Sequence, residues 1–242
     1  MLRSVLFWGS VPLVGLQALR VRRRAPRFAG AGGPAEGAEG AGSARRLVAI
    51  GDSIIAGVGA AALSEALVGQ TARALAETLP ARVEWIARGR IGANAGQALR
   101  ELLPELPAAP ADFFLVSVGV NDVTSLSTRA AWRRNLDALL AALRAHSPEA
   151  IIAMVGVPPM RRFPLLPQPL RALLGLRAEQ FDGIARRVIE NHPRALYLPL
   201  DIDPSPDQFA ADGYHPSQES YGALGRAMAA RIAAACTPPD RS

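Results

Sequence analysis

A chain of 242 residues, half of them hydrophobic and a fifth charged, can bury one sizeable core and carry a short appendage, which excludes a disordered or fibrous protein. The net charge of +6 sits entirely in residues 1–46, where eight arginines face Glu36 and Glu39, so the remaining chain is neutral and nucleic-acid binding is not expected. The single cysteine, Cys236, cannot form an internal disulfide, and no Cys/His group has zinc spacing, so no metal is expected.

Ser4 to Leu19 is apolar apart from Ser10, Gln17 and a few small residues, with Arg3 before it and Arg20, Arg22, Arg23 and Arg24 behind it. Its 16 residues fall short of the roughly 20 that a membrane span needs, and Pro12 interrupts them. Residues 1–28 are therefore read as a membrane-targeting segment that stays attached, with its arginines holding the domain on the cytoplasmic side. A cleaved export signal ending near Ala29-Gly30-Ala31 is one alternative. A helix lying in the interface, with arginines on anionic head groups, is another. Residues 29–44 hold no large apolar side chain and read as a flexible Gly/Ala linker. The domain is expected over 45–236, followed by a tail at 237–242.

Within the domain, short β-branched runs alternate with helical patterns. Strands are predicted at Leu47–Ile50, Val83–Ile86, Phe113–Val118, Ile151–Val155 and Ala195–Leu198. Helices are predicted at Leu63–Leu79, Ala95–Leu103, Trp132–Leu143, Leu173–Ile189 and Gln218–Ala235. Five strands interleaved with five helices predict one parallel sheet covered on both faces. Ligands of such sheets bind at the carboxyl ends of the strands, in the loops that follow them.

Three polar blocks fall in those loops or just before the last helix. Gly51-Asp52-Ser53 follows the first strand and Gly119-Val120-Asn121-Asp122 the third, while Asp212-Gly213-Tyr214-His215-Pro216-Ser217 precedes the final helix. Taken singly, each reads as turn or capping chemistry. Together they supply what an activated serine needs: a base, and a carboxylate to orient that base. Asp212 and His215 are three apart, so one turn can bring their side chains into contact. Donors for a developing oxyanion are available from Asn121, the Ser53 N–H and a glycine of Arg88-Gly89-Arg90-Ile91-Gly92-Ala93-Asn94.

The order Gly-Asp-Ser, glycine loop, Gly-x-Asn-Asp and Asp-x-x-His-Pro resembles the SGNH (GDSL-type) hydrolase family, over residues 48–217. The resemblance implies a flavodoxin-like three-layer α/β/α fold, with no cofactor and no metal. It further implies a catalytic triad of Ser53, His215 and Asp212, and an oxyanion hole formed by the backbone N–H groups of Ser53 and Gly92 and the side chain of Asn121. Ile54 stands where the family writes leucine, and Gly89 or Gly96 competes with Gly92 for the second block. The expected activity is carboxylic-ester hydrolysis on a small-molecule or lipid-like substrate, through an acyl-enzyme. An acetyl-glycan deacetylase or a thioesterase would use the same site, and a catalytically dead binding module keeps the fold without the chemistry. Nucleotide binding at Gly89-x-x-Gly92-x-x-x-Gly96 does not match the Gly-x-Gly-x-x-Gly spacing.

Other polar residues receive plainer readings. Asp52 and Asp122 are read as loop stabilisers, and His146 and His192 as helix-end residues. Asp201, Asp203 and Asp207 form an acidic loop in which calcium is a minor alternative. The segment Pro158–Leu170, rich in Pro, Met, Phe and Leu after the fourth strand, is expected to wall an acyl site.

Overall fold

The computed structural model describes residues 14–21, 23, 29–200 and 205–236. Most of the proposed targeting segment, Asp201, Asp203 and the tail at 237–242 lie outside them. The sheet contains β1 (Glu36–Glu39), β2 (Ser43–Gly51), β3 (Ala81–Gly89), β4 (Phe113–Ser117), β5 (Ile151–Val155) and β6 (Ala195–Leu198). Their spatial order is β1-β3-β2-β4-β5-β6, with β1 antiparallel at the edge and all other pairings parallel.

The sheet thus has six strands rather than five, and the stretch read as a linker contains the sixth. Glu36-Gly37-Ala38-Glu39 has no β-branched residue, because an edge strand is held here by its backbone rather than by side chains. Gly37 lies opposite Trp85, and a Cβ on it would come within 2.5 Å of that indole ring. The preceding residues are tied down as well, by Ala31 N–H to Ala56 C=O (2.8 Å) and Leu63 N–H to Gly32 C=O (3.0 Å).

The long helices are α1 (Leu67–Thr78), α2 (Arg129–His146), α3 (Leu170–Glu190) and α4 (Gln218–Cys236). Side chains alternate across each strand, so β4 sends Phe114 and Val116 to one face and Phe113 and Leu115 to the other. The first face packs on α2, α3 and the short helical run that starts at Ala95, and the second packs on α1 and α4. This is the three-layer α/β/α arrangement. Every residue of β4 and β5 is buried, and each large apolar side chain so buried contributes about 1.5–3 kcal/mol. Helix starts carry their own signals: Thr128 accepts from Ala131 N–H (3.1 Å) ahead of α2, and Ser217 accepts from Ser220 N–H (3.2 Å) ahead of α4. The central parallel strands end together, and their carboxyl edge carries the polar blocks.

Candidate active site

Parallel register sets three loops side by side. Gly51 is paired with Gly89 on β3 and with Ser117 on β4, so the chain leaves β2, β3 and β4 at the same level. At Gly51 (φ +156) a Cβ would fall 2.0 Å from the Ser117 carbonyl oxygen, so only glycine permits this approach. Two backbone bonds join the loops: Asp52 N–H to Ser117 C=O (3.0 Å) and Arg90 N–H to Gly51 C=O (3.0 Å).

Asp52 is 2% exposed and closes the turn that carries Ser53. Its Oδ1 accepts from Ile54 N–H (3.0 Å) and from the Ser117 hydroxyl (3.2 Å). Burial pushes its carboxyl up to about 6, against the opposing pull of those two hydrogen bonds. Its contacts are those of a turn stabiliser.

Ser53 faces His215. The Ser53 hydroxyl lies 3.0 Å from His215 Nε2, and His215 Nδ1 lies 2.5 Å from Asp212 Oδ2. An ionised carboxylate only accepts, so Nδ1 carries the proton and Nε2 is left to accept from the serine hydroxyl. Asp212 is buried, and burial raises its pKa. Hydrogen bonds from the His215 ring and from the His215 and Tyr214 N–H groups outweigh that effect and hold the carboxyl below its ordinary range. The loop itself is a tight hairpin: Ala210 N–H donates to His215 C=O (2.8 Å), and Gly213 N–H to Ala210 C=O (2.9 Å). Tyr214 packs edge-on against both His215 (5.2 Å) and Phe163 (4.9 Å), which fixes the ring from the side.

The loops after β3 and β4 are also joined. Asn121 Nδ2 donates to Ala93 C=O (3.0 Å), which leaves its second hydrogen for another acceptor. Asp122, the next residue, is buried and accepts from Ala95 N–H (2.9 Å). Gly92 has φ +84 in the turn closed by Ala93 N–H to Arg90 C=O (3.0 Å). Among the described residues, neither the Ser53 nor the Gly92 N–H donates to a backbone carbonyl. Beneath the one-turn helix Val120–Thr124, which carries Asn121, lies a residue that sequence patterning does not single out. Arg177 of α3 is buried and donates to the backbone carbonyls of Val123 (2.9 Å) and Ser127. Burial lowers its pKa to about 10, and nothing at an arginine within a helical run signals this position in sequence.

A cavity of about 330 Å³ opens at Ser53 and His215, and its lining is mostly apolar. The segment expected to wall it contributes little. Met160, Leu166 and Leu170 are committed to the hydrophobic core, leaving Phe163 and Pro158 to reach the cavity. The 158–169 loop instead buttresses the His215 loop, through Leu165 N–H to Gly213 C=O (3.1 Å) and the Phe163–Tyr214 contact.

His146 bonds to Ser147 and to the Pro107 carbonyl, and His192 to Asp137, so both histidines are engaged elsewhere. Among the described residues no group of three His, Cys, Asp or Glu side chains is placed to hold a metal ion.

A sheet covered by helices on both faces, with these blocks on its carboxyl edge, defines the class, that of an α/β/α hydrolase. Residues 49–223 match the GDSL-like lipase/acylhydrolase family model, and the chain belongs to that family and is a carboxylic-ester hydrolase. No curated protein sequence matches the chain. Its fold is similar to that of the lipase/acylhydrolase from Enterococcus faecalis, at 24% identity, TM-score 0.56, and coverage of 82% of this chain and 100% of that one. It is also similar to the family 3 carbohydrate esterase of Clostridium thermocellum, at 14% identity, TM-score 0.62, and coverage of 81% and 100%. A third similar structure is the esterase EstA from Pseudoalteromonas sp., at 20% identity, TM-score 0.57, and coverage of 78% and 96%.

Proposed function

We propose that this chain hydrolyses a hydrophobic carboxylic ester through an acyl-enzyme on Ser53. The observation that carries the reading is the continuous line from Ser53 Oγ through His215 to Asp212, opening onto an apolar cavity. Ser53 Oγ attacks the ester carbonyl while its proton passes to His215 Nε2. Asp212 stays ionised, fixes the tautomer and stabilises the imidazolium that forms. The new oxyanion accepts from the Ser53 and Gly92 N–H groups and from the second Asn121 amide hydrogen. Collapse expels the alcohol, which takes its proton from His215. Water then attacks the acyl-enzyme with His215 again as base, the Ser53 Oγ–acyl bond breaks to release the acid, and His215 returns the proton to Oγ. An apolar cavity favours a fatty acyl group over the acetyl group of a glycan, whose neighbouring hydroxyls need polar partners.

Steady-state hydrolysis of p-nitrophenyl esters by the full-length chain tests these roles. Ser53→Ala lowers kcat on the order of 10⁶-fold, to the residue left by the oxyanion hole and binding, and Asp212→Asn lowers it on the order of 10⁴-fold by removing the carboxylate that sets the tautomer. Asn121→Ala lowers kcat by about 10²–10³-fold with KM little changed, because its donor acts on the transition state. Equal kcat values for wild type and Ser53→Ala would end the reading.

We also propose that the N-terminal segment rests on a lipid surface. Residues 14–21 are helical, with Leu16 and Leu19 exposed at 69% and 50% beside exposed Arg20 and Arg23. Among the described residues no helix is long and apolar enough to cross a membrane.

A further inference from the structure

The cavity at Ser53 and His215 continues away from the triad. Its walls run along the carboxyl ends of β5 and β6, at Val155, Leu198 and Leu200, and reach α4 at Ala223, Leu224 and Ala227. Ala223 and Ala227 are one helical turn apart and solvent-exposed, while Leu224 between them is half-buried. The groove is therefore mostly apolar and reaches solvent at the α4 end. Two of the hydroxyls along it already have partners. The Ser220 hydroxyl donates to the Gln208 carbonyl (2.8 Å), and the Ser117 hydroxyl to Asp52 (3.2 Å). With those two engaged, the Tyr214 hydroxyl is left to meet a sugar's many hydroxyls, whereas an alkyl chain needs no polar partner.

We infer that this groove holds the acyl chain of the ester, its carbonyl at Ser53 and its far end between Ala223 and Ala227. Helix α4, not the 158–169 loop, then sets the preferred acyl length. This rests on the serine-esterase reading above and names its substrate class. A volume of about 330 Å³ has room for on the order of ten groups the size of a water molecule, roughly 30 Å³ each, and a methylene is of similar size. Each methylene that enters leaves water and raises kcat/KM roughly fourfold. Beyond the α4 end an added methylene emerges into solvent and gains nothing, so preference rises with length and then levels. Alanine at 223 and 227 leaves that end clear, and a bulky side chain at either place closes it.

The test is the kcat/KM series for p-nitrophenyl esters from acetyl to hexadecanoyl, with the full-length wild type, Ala223→Phe and Ala227→Phe. Wild type shows a rise to about ten carbons followed by a plateau. Each phenylalanine variant shows its plateau at a shorter chain, and its decanoyl-to-butanoyl ratio falls at least about tenfold. Both positions are exposed, so the larger side chain displaces no core residue. The inference is overturned if both variants keep the wild-type ratio, or if wild-type kcat/KM falls steadily from acetyl onward. Fluorophosphonate labelling of wild-type Ser53 separates the two levels. A labelled serine with an unmoved ratio sinks the groove alone, and an unlabelled serine sinks the esterase reading beneath it.

Discussion

Asp52 and Asp212 are both buried carboxylates on the same edge, yet their surroundings drive them apart. Asp212 accepts three hydrogen bonds from the His215 loop and stays ionised, while Asp52 has fewer partners and burial dominates. The folded Asp52 carboxyl lies at about 6 against an ordinary 3.8, so the native state keeps a proton that the unfolded chain has lost. Its contribution is fully present below about pH 4 and lost as pH rises through about 6, a change of ~3 kcal/mol at about 1.4 kcal/mol per unit. Asn can accept the same two hydrogen bonds without ionising. Thermal unfolding of wild type and Asp52→Asn across pH 4–7 is therefore expected to show the variant gaining relative stability with rising pH, and a pH-independent difference would contradict this. The residues brought together at the site were readable in the chain, since a serine, an asparagine and an Asp-x-x-His pair all fall just after strands or just before a helix. The ties beneath them were not. Arg177 and the Asp122–Ala95 bond join segments far apart in sequence, where no spacing links them.

Elements were legible where side chains alternate or repeat, and illegible where the backbone alone does the holding. Four of the five predicted strands have β-branched residues and the long helices 3.6-residue periodicity behind them, and their ends differ from the observed ones by a few residues. Strand β1 has neither signal, because Glu36 to Glu39 borrows its geometry from β3. Gly37 is its informative residue, since the Trp85 ring lies where a side chain would stand. Gly37→Val is expected to displace that ring and cost about 1–3 kcal/mol by overpacking, seen as a lower melting temperature. An unchanged melting temperature would mean that β1 contributes little to the sheet. The 158–169 loop misleads for the opposite reason: its Met, Phe and Leu residues advertise a binding wall but mostly fill the core. The α4 wall, made of alanines and one leucine, gives no signal at all in the sequence.

Across the whole molecule, charge and chemistry are segregated. All the excess positive charge precedes residue 47, and the hydrolase domain behind it is neutral. Helical residues 14–21 also touch the domain near its active edge, where Gln17 donates to the Gln168 carbonyl (2.7 Å) and accepts from Leu170 N–H (3.2 Å). A lipid surface held by Leu16, Leu19 and the arginines would then lie beside the loop that buttresses His215. The full-length chain is expected to co-sediment with anionic vesicles more than with zwitterionic ones, and less as salt is added. Leu16→Glu combined with Leu19→Glu should reduce that binding, and equal binding by this variant would exclude the helix as the contact.

Activation of Ser53 underlies every step above, and it is read by peptide mass spectrometry after fluorophosphonate treatment of the full-length chain. The expected result is a single adduct on Ser53, absent in Ser53→Ala and formed far more slowly in His215→Ala. A folded wild-type chain that takes up no probe, or takes it up at another residue, would contradict it.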